Sequence, residues 1–145
     1  MQLVVDSNVL FTFFWGDSVF RNILNKSVEF FSPEYALEEI NKHSSELIKK
    51  VSCSESEFKK LKRDLALKVD FIPLEEYSSA FPKVLSMADQ LTKKEYLEFV
   101  KDIDFFALAV KIGCPIWSND KLFKKQSKVL VFTNREIIEL FDSLK

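Results

Sequence analysis

Two short apolar runs that lead to an aspartate constrain the fold of this chain most strongly. The run LVV precedes Asp6 near the start of the chain, and PIWSN precedes Asp120 far downstream. A short apolar run followed by helix-forming sequence is typical of a parallel strand that is buried on both faces. Ligands bind at the carboxyl ends of such strands. The pattern therefore predicts an α/β sheet with two carboxylates at one edge.

Strands and helices alternate along the chain, which predicts a central parallel sheet with right-handed crossovers. The predicted strands cover residues 2–6, 28–32, 69–73, 115–118 and 129–132. Polar caps mark most of the helix starts. In the first half of the chain, the predicted helices are VLFTFFW after Asp6 or Ser7, VFRNILNK after Asp17 or Ser18, YALEEINKHSSELIKK after Ser32 and Pro33, and SESEFKKLKRDLALK, which a Ser54–Glu57 capping box opens. Residues 75–101 are predicted to form two or three short helices with boundaries near Pro82 and Thr92. The last two predicted helices are DIDFFALAVKI, which ends at Gly113, and REIIELF after Thr133 or Asn134.

Composition bounds the class of protein. The 145 residues suffice for one domain with its own core, predicted here over residues 1–145. Hydrophobic residues make up 47% and charged residues 30%, which is typical of a globular protein. No apolar run approaches the roughly 18 residues of a membrane span, and the N-terminus lacks a signal-peptide pattern. We therefore expect a cytoplasmic protein without membrane contact.

Several acidic residues fall where they could reach the same edge of the sheet. The candidate cluster consists of Asp6, Glu38 or Glu39, Asp102, Asp104 and Asp120. Two unit charges about 4 Å apart repel by roughly 4 kcal/mol at an effective dielectric near 20, so the cluster needs compensation. A divalent cation is the simplest compensator, and oxygen-only ligation with no histidine or thiolate nearby favours Mg²⁺ or Mn²⁺ over zinc. The sequence therefore predicts a metal site and, as a hypothesis, a metal-dependent enzyme.

Most of these acids also have an ordinary structural explanation. Asp6 and Asp120 could cap helices after their strands, and Asp102 could be a favourable charge in a first helical turn. Asp104 lies two residues from Asp102, and residues two apart do not share a helical face. Capping and metal ligation are compatible, so the two explanations do not exclude each other.

The helix after Pro33 carries two adjacent glutamates and the one histidine of the chain. Glu38 and Glu39 cannot face the same way, and the apolar positions of this helix leave the choice between them open. His43 follows Glu39 by four residues and could share its face. A lone histidine on a polar helix is more often solvated.

In order and separation, these motifs resemble those of the PIN-domain nucleases over nearly the whole chain. VVDSNVLF is similar to the first motif, a hydrophobic strand followed by Asp, Ser or Thr, Asn and an aliphatic pair. SPEYALEEI is similar to the second, in which an acidic residue before an aliphatic one faces the site, and Glu39 before Ile40 matches best. DIDFFALAVKIGCPIWSND is similar to the third and fourth motifs, and spacing back from Ala107 assigns their acids to Asp102 and Asp120.

The resemblance implies a three-layer α/β/α, Rossmann-like PIN fold whose central parallel sheet has about five strands in the order 3-2-1-4-5. This order puts the topological switch point between strands one and four, which lead to Asp6 and Asp120. The resemblance also implies an endoribonuclease that depends on Mg²⁺ or Mn²⁺. Asp6, Glu39, Asp102 and Asp120 would be its catalytic and metal-binding residues, with Asp104 as a further candidate ligand.

The expected partners are RNA, an antitoxin protein and a second copy of the chain, because the family includes the toxins of toxin–antitoxin pairs beside RNA-processing factors. Candidates for contacting substrate are Asn8, Ser118 and Lys121, of which the first two could equally orient carboxylates or a metal-bound water. The net charge of −1 gives no global sign of nucleic-acid binding, so local patches must hold RNA. Of the two basic clusters, residues 59–63 and residues 121–128, the second is the better candidate because it begins beside Asp120.

Two alternatives remain open from the sequence. The same scaffold could be a non-catalytic module that binds RNA or a protein through the acidic crevice. A receiver-like signalling domain also clusters acids at strand ends, but it needs an Asp ending its third strand and a Lys ending its fifth, which VDFIP and VLVFTN do not supply in place. Trp15, Trp117 and the 15 Phe residues are expected in the core, although an exposed aromatic near the crevice could stack on a base.

Overall fold

The strands of the protein form one parallel sheet in a computed structural model that describes residues 1–24 and 26–142. They are β1 (Gln2–Val5), β2 (Glu29–Pro33), β3 (Val69–Ile72), β4 (Ile116–Trp117) and β5 (Val131–Phe132). Their spatial order is β3-β2-β1-β4-β5, which confirms the predicted order, and each strand end lies within two residues of its predicted position. Receiver-like domains have the order 2-1-3-4-5. The observed order therefore excludes that hypothesis.

The central strand β1 is buried on both faces of the sheet. Leu3, Val4 and Val5 are all 0% exposed, and successive side chains of a strand point to opposite faces. Val4 lies opposite Phe31 of β2 on one side and opposite Ile116 of β4 on the other. Apolar residues must therefore cover β1 from above and below, which explains why its sequence is continuously apolar rather than alternating.

Helices provide this cover. Those of the described residues are α1 (Ser7–Phe11), α2 (Val19–Ile23), α3 (Glu34–Lys42), α4 (Ser44–Val51), α5 (Glu55–Lys68), α6 (Phe81–Ser86), α7 (Lys93–Lys101), α8 (Ile103–Ile112) and α9 (Asn134–Asp142), with 3₁₀ turns at Thr12–Phe14, Leu74–Glu76, Ser78–Ala80 and Lys121–Lys125. The helix α8 packs on β1, β2 and β4 with its buried residues 105–109. Within the described ranges, no helix combines the length and the apolar character that a membrane crossing needs.

Local capping explains several helix boundaries. Ser18 accepts a hydrogen bond from the backbone N–H of Arg21 and so caps α2. The helix was predicted to continue through residue 26, and position 25 of that prediction lies outside the described residues. Ser54 accepts one from the N–H of Glu57 at the start of α5. A complete capping box, which the sequence analysis did not identify, joins Thr92 and Glu95 at α7. These bonds satisfy N–H groups that have no partner inside the helix.

The prediction that Ser32 caps the third helix is wrong. Ser32 belongs to β2, its side chain is 0% exposed, and its Oγ donates a hydrogen bond of 2.8 Å to the carbonyl of Val5. Pro33 takes the N-cap position instead, and α3 begins at Glu34. The hydroxyl of a buried strand residue needs a partner. Here the neighbouring strand supplies one, so Ser32 is not available to the helix.

The single long helix predicted over residues 35–50 is two helices, α3 and α4, that meet at His43. No proline or glycine marks this break. The N–H of His43 still bonds to the carbonyl of Glu39, and the N–H of Leu47 bonds to the carbonyl of His43. Because the backbone groups on both sides keep their partners, the turn costs few hydrogen bonds and leaves no signal in the sequence.

The loop before β5 is organised by a buried glutamine. The amide of Gln126 donates to the carbonyls of Phe123 and Val129, and its Oε1 accepts from the N–H groups of Lys128 and Val129. These four bonds hold residues 126–129 in a loop. The strand therefore begins at Val131 rather than at residue 129, as its apolar run had suggested.

We expect the substitution Gln126→Ala to lower the free energy of unfolding by about 2–4 kcal/mol, because it leaves buried backbone groups without partners. Urea unfolding followed by circular dichroism measures this difference. The matched control is Gln90→Ala, since Gln90 is exposed and its loss should change stability by less than about 0.5 kcal/mol. Equal stability of both variants would contradict the assigned role of Gln126.

Candidate active site

Pairing of β1 with β4 brings Asp6 and Ser118 together. The N–H of Asp6 donates to the carbonyl of Trp117 at 3.0 Å, so both strands end side by side. Ser118 Oγ donates to Asp6 Oδ2 at 2.8 Å, and both side chains are buried, with Asp6 only 4% exposed. Asp6 occupies the N-cap position of α1 but makes no side-chain capping bond. Capping therefore does not explain this carboxylate.

Asp120 lies on the same edge and does act as a cap. Its Oδ1 accepts a hydrogen bond of 3.0 Å from the N–H of Leu122, at the start of the 3₁₀ turn Lys121–Lys125. Its own N–H donates to Ser118 Oγ at 3.1 Å. Ser118 thus connects the two carboxylates: it donates to Asp6 and accepts from the backbone of Asp120.

Glu39, rather than Glu38, faces this edge. Ser7 Oγ donates to Glu39 Oε1 at 2.7 Å, which ties α3 to the first residue of α1. Ser7 is buried and Glu39 is half-buried, whereas Glu38 is exposed. The structure therefore resolves the choice between the adjacent glutamates that the sequence pattern had left open. Sequence reasoning treated Ser7 only as a possible cap, although it lies within the motif VVDSN.

Asp102 joins the group from the junction of α7 and α8. It occupies the N-cap position of α8, where its side chain makes no capping bond. Burial, followed by the charges of Asp6 and Asp120, raises the pKa of Asp102 to about 7. The charge of Glu39 contributes as well.

The same coupling acts on Asp6. Burial raises the pKa of the Asp6 carboxyl to about 6, although hydrogen bonds from Ser118 and the backbone of Ser7 oppose the rise. The charges of Asp120 and Glu39 raise it further. Within residues 1–24 and 26–142, no Lys or Arg forms an ion pair with any of the four carboxylates. Among the described side chains, the four carboxylates therefore have no cation within ion-pair distance.

These four carboxylates suit a hard divalent cation by their donor chemistry. All are oxygen donors, and burial makes the charge of Asp6 costly. In the described part of the chain, no group of three or more His, Cys, Asp or Glu side chains is arranged to hold a metal ion as it stands. Mutual repulsion of free carboxylates favours such separation. By donor chemistry, an all-oxygen set of this kind fits Mg²⁺ or Mn²⁺.

Asp104 has a different environment from the other acids. The hydroxyl of Tyr77 donates to Asp104 Oδ2 at 2.6 Å, and Tyr77 is only 1% exposed. Burial and this hydrogen bond raise the pKa of Tyr77. The charge of Asp104 is not among the main causes that raise the pKa of Asp6 or of Asp102. The structure thus brings four of the five predicted acids together and places the fifth against a tyrosine.

The predicted substrate contacts have unequal surroundings. Asn8 is exposed and lines a cavity together with Glu39. Ser118 is 0% exposed, so it positions carboxylates rather than facing solvent. Lys121 is exposed beside Asp120, but two further members of its cluster are paired within the protein, Lys124 with Glu136 and Lys125 with Glu95. The basic cluster therefore offers less free charge than its sequence suggests.

Tyr35 is a residue near this edge that sequence reasoning missed. Its ring is 41% exposed on α3. Burial raises the pKa of Tyr35, and the charges of Glu39, Asp102 and Asp104 add to the rise. Its place in the first turn of an amphipathic helix carries no chemical signature, so only the structure reveals that it lies near the carboxylates.

Comparison with known proteins agrees with this architecture. The model of the PIN domain family matches residues 4–137. Among solved structures, a chain of VapBC2 from Rickettsia felis, bound to a DNA fragment from their promoter, is similar with a TM-score of 0.65 and 12% sequence identity. The match covers 92% of this chain and 98% of that one. No curated protein matches the sequence. Because the family model spans nearly all of the sheet, its helices and the acidic edge, this chain belongs to the PIN domain family.

Proposed function

We propose that the protein is a metal-dependent endoribonuclease. The observation that carries this proposal is the buried Asp6 carboxylate at the β1–β4 switch point, surrounded by Glu39, Asp102 and Asp120 without a compensating cation among the described residues. A buried carboxylate with further carboxylates close to it is costly for a folded protein. Unfavourable carboxylate groups of this kind are typical of functional sites, and this one lies at the edge where α/β proteins bind ligands.

Asp6, Glu39, Asp102 and Asp120 would hold Mg²⁺ or Mn²⁺. Such an ion, when bound, activates water and neutralises the charge that develops on a phosphodiester during in-line attack. The acids would serve mainly as ligands, and one of them would also accept the proton that the attacking water loses. The proposed products are RNA fragments from hydrolysis of a phosphodiester bond.

Ser118 and Ser7 position these carboxylates. Ser118 donates to Asp6 Oδ2, which leaves Oδ1 for a ligand, and Ser7 donates to one oxygen of Glu39 in the same way. Hydrogen bonds of this kind orient metal-binding side chains and raise the affinity of a site. The two serines therefore act through the acids rather than on the substrate.

The biological setting that we propose is a toxin–antitoxin pair. The similar structure from Rickettsia felis is by its description a VapBC2 complex bound to promoter DNA. By analogy, this chain would pair with an antitoxin protein, and it would also form a homodimer. Asp104 as a further metal ligand, and Asn8 and Lys121 as substrate contacts, remain predictions.

Replacing acids of the site should abolish RNA cleavage, because each carboxylate contributes to the same ion site. We expect Asp6→Asn, Asp120→Asn and Glu39→Gln to lose Mg²⁺- or Mn²⁺-dependent cleavage of single-stranded and structured RNAs. Gel assays in Mg²⁺, Mn²⁺ or EDTA measure this. Glu38→Gln is the matched control, since Glu38 is the exposed neighbour on α3 and its loss should leave cleavage unchanged. RNA binding without cleavage by the wild-type protein in any metal would instead support the non-catalytic binding module.

The stability of the metal-free protein should fall as the pH rises. The carboxyls of Asp6 and Asp102 have pKa values raised from 3.8 to about 6 and about 7, so the folded state binds protons more tightly than the unfolded state. The stabilisation from these protons is complete below about pH 4 and is lost as the pH rises through both raised values. For Asp6 alone, the rise of its pKa from 3.8 to about 6 corresponds to about 3 kcal/mol.

Thermal unfolding in EDTA measures this effect. We expect the melting temperature to decrease between about pH 4 and pH 8, and Mn²⁺ to restore it at the upper end, where the acids are ionised. Asp6→Asn should melt higher than wild type in EDTA at about pH 8 and gain less from Mn²⁺. A wild-type melting temperature that rises with pH in EDTA would contradict the assigned electrostatics.

Loss of a positioning hydroxyl should weaken the site without destroying it. We expect Ser7→Ala to bind Mn²⁺ about 10–100-fold more weakly, because Glu39 loses the donor that orients it. Calorimetric titration of Mn²⁺ measures the affinity directly. Ser45→Ala, at an exposed position of α4, is the control and should bind Mn²⁺ as wild type does. Unchanged affinity of Ser7→Ala would remove Ser7 from the site.

A further inference from the structure

One of the four carboxylates at the acidic edge has no hydrogen-bond donor of its own. The other three each accept a bond that orients them, and the donors are Ser118 for Asp6, Ser7 for Glu39, and the backbone N–H of Leu122 for Asp120. Among residues 1–24 and 26–142, no group donates to the carboxylate of Asp102. The position of this carboxylate therefore depends on the backbone that carries it.

The backbone at Asp102 is the junction between two helices. Its φ of −109° and ψ of 14° are not helical values, and it both ends α7 and precedes α8. The N–H of Asp102 bonds to the carbonyl of Phe99 in α7, and its carbonyl accepts a bond from the N–H of Phe105 in α8. A change in the angle between α7 and α8 would therefore move the Asp102 side chain.

A buried tyrosine fixes the first turn of α8. Asp104 lies in this turn, and its Oδ2 accepts a hydrogen bond of 2.6 Å from the hydroxyl of Tyr77. Tyr77 is only 1% exposed and lies between the 3₁₀ turns Leu74–Glu76 and Ser78–Ala80, the second of which packs on α8. Hydrogen bonds to a carboxylate are shorter and stronger than those between neutral groups. The hydroxyl thus joins α8 firmly to a separate segment of the chain.

We propose that Tyr77 is a positioning residue of the ion site. Its hydroxyl holds Asp104, Asp104 fixes the start of α8, and the fixed helix start places the carboxylate of Asp102 among the other acids. This inference rests on the proposed function for the identity of the ion. It adds a residue outside the acidic group, and it gives Asp104 a role that acts through Asp102 instead of direct contact with the ion.

The bond is better suited to fixing a position than to satisfying a buried charge. A phenylalanine ring would fill the same space as the ring of Tyr77, and the hydroxyl has Asp104 as its hydrogen-bond partner among the described residues. Asp104 is half-buried, so water can hydrate its carboxylate when the hydroxyl is removed. Loss of the bond should therefore release the first turn of α8 without leaving a buried carboxylate unsatisfied.

The test is calorimetric titration of Mn²⁺ into the metal-free protein. We expect Tyr77→Phe to remain folded and to bind Mn²⁺ about tenfold more weakly than wild type, because Asp102 is no longer held in place. Tyr96→Phe is the matched control. Tyr96 is 39% exposed on α7, the helix that leads to Asp102, and its variant should bind Mn²⁺ as wild type does.

Substitutions of Asp104 distinguish a hydrogen-bond acceptor from a metal ligand. Asp104→Asn keeps an oxygen that can accept the bond from Tyr77, whereas Asp104→Leu has no acceptor. We therefore expect the Asn variant to bind Mn²⁺ more tightly than the Leu variant. Combining Asp104→Leu with Tyr77→Phe should weaken binding no further than either change alone, since both remove the same bond. An Asn variant that binds as weakly as the Leu variant would contradict the assigned role.

A third variant separates position from stability. Ile137 is 0% exposed on α9, which packs on β5, so Ile137→Val should lower the melting temperature. Its affinity for Mn²⁺ should equal that of wild type. If Ile137→Val weakens Mn²⁺ binding as much as Tyr77→Phe does, then Tyr77 contributes only to stability and the inference is wrong.

Failure of this inference differs from failure of the proposed function. Unchanged Mn²⁺ affinity of Tyr77→Phe would overturn the positioning role even if the wild-type protein cleaves RNA. Weaker Mn²⁺ binding by Tyr77→Phe, without RNA cleavage by wild type in any metal, would support the positioning role and overturn the nuclease. Absence of Mn²⁺ binding to wild type would overturn the ion site and the positioning role together.

Discussion

The pairing of β1 with β4 is the interaction on which the rest of the structure depends. It aligns Val5 with Trp117, so that both strands end together and the next polar residues, Asp6 and Ser118, meet in a hydrogen bond of 2.8 Å. Because β2 lies on the other side of β1, the chain leaves β1 in one direction and returns to β4 from the other. The crevice between these connections is where the helices deliver the remaining acids.

The carboxylates lie at the end of a strand whose other residues belong to the apolar core. The core around β1 is free of charge, and a carboxylate at its end loses hydration, which is why burial is the largest cause of the raised pKa values of Asp6 and Asp102. Hydrogen bonds from serines offset only part of this cost. The apolar sheet and its covering helices must therefore provide the stability that allows an unfavourable charge cluster to persist, an arrangement typical of functional sites.

Much of this architecture follows from local sequence. The strands and the two strand-end aspartates were predicted because apolar runs and caps are short-range properties. The strand order and the choice of Asp102 were instead implied by the resemblance to the PIN-domain nucleases. The wrong predictions have a common cause. Ser32 was assigned to a helix cap because its partner, the carbonyl of Val5, is 27 positions away in the chain. The turn at His43 has no breaker residue, and the shortened β5 depends on the side-chain bonds of Gln126, which no propensity predicts.

The sequence by itself determined that the chain forms a parallel sheet with carboxylates at the edge where its strands end, because a continuous apolar run can be satisfied only by a strand covered on both faces. Only the tertiary structure decided which acids meet. Glu39 is distinguished from Glu38 by the hydroxyl of Ser7, and Asp104 accepts a hydrogen bond from Tyr77. These choices depend on contacts between distant segments, and the direction of a side chain becomes definite only when its neighbours are packed against it.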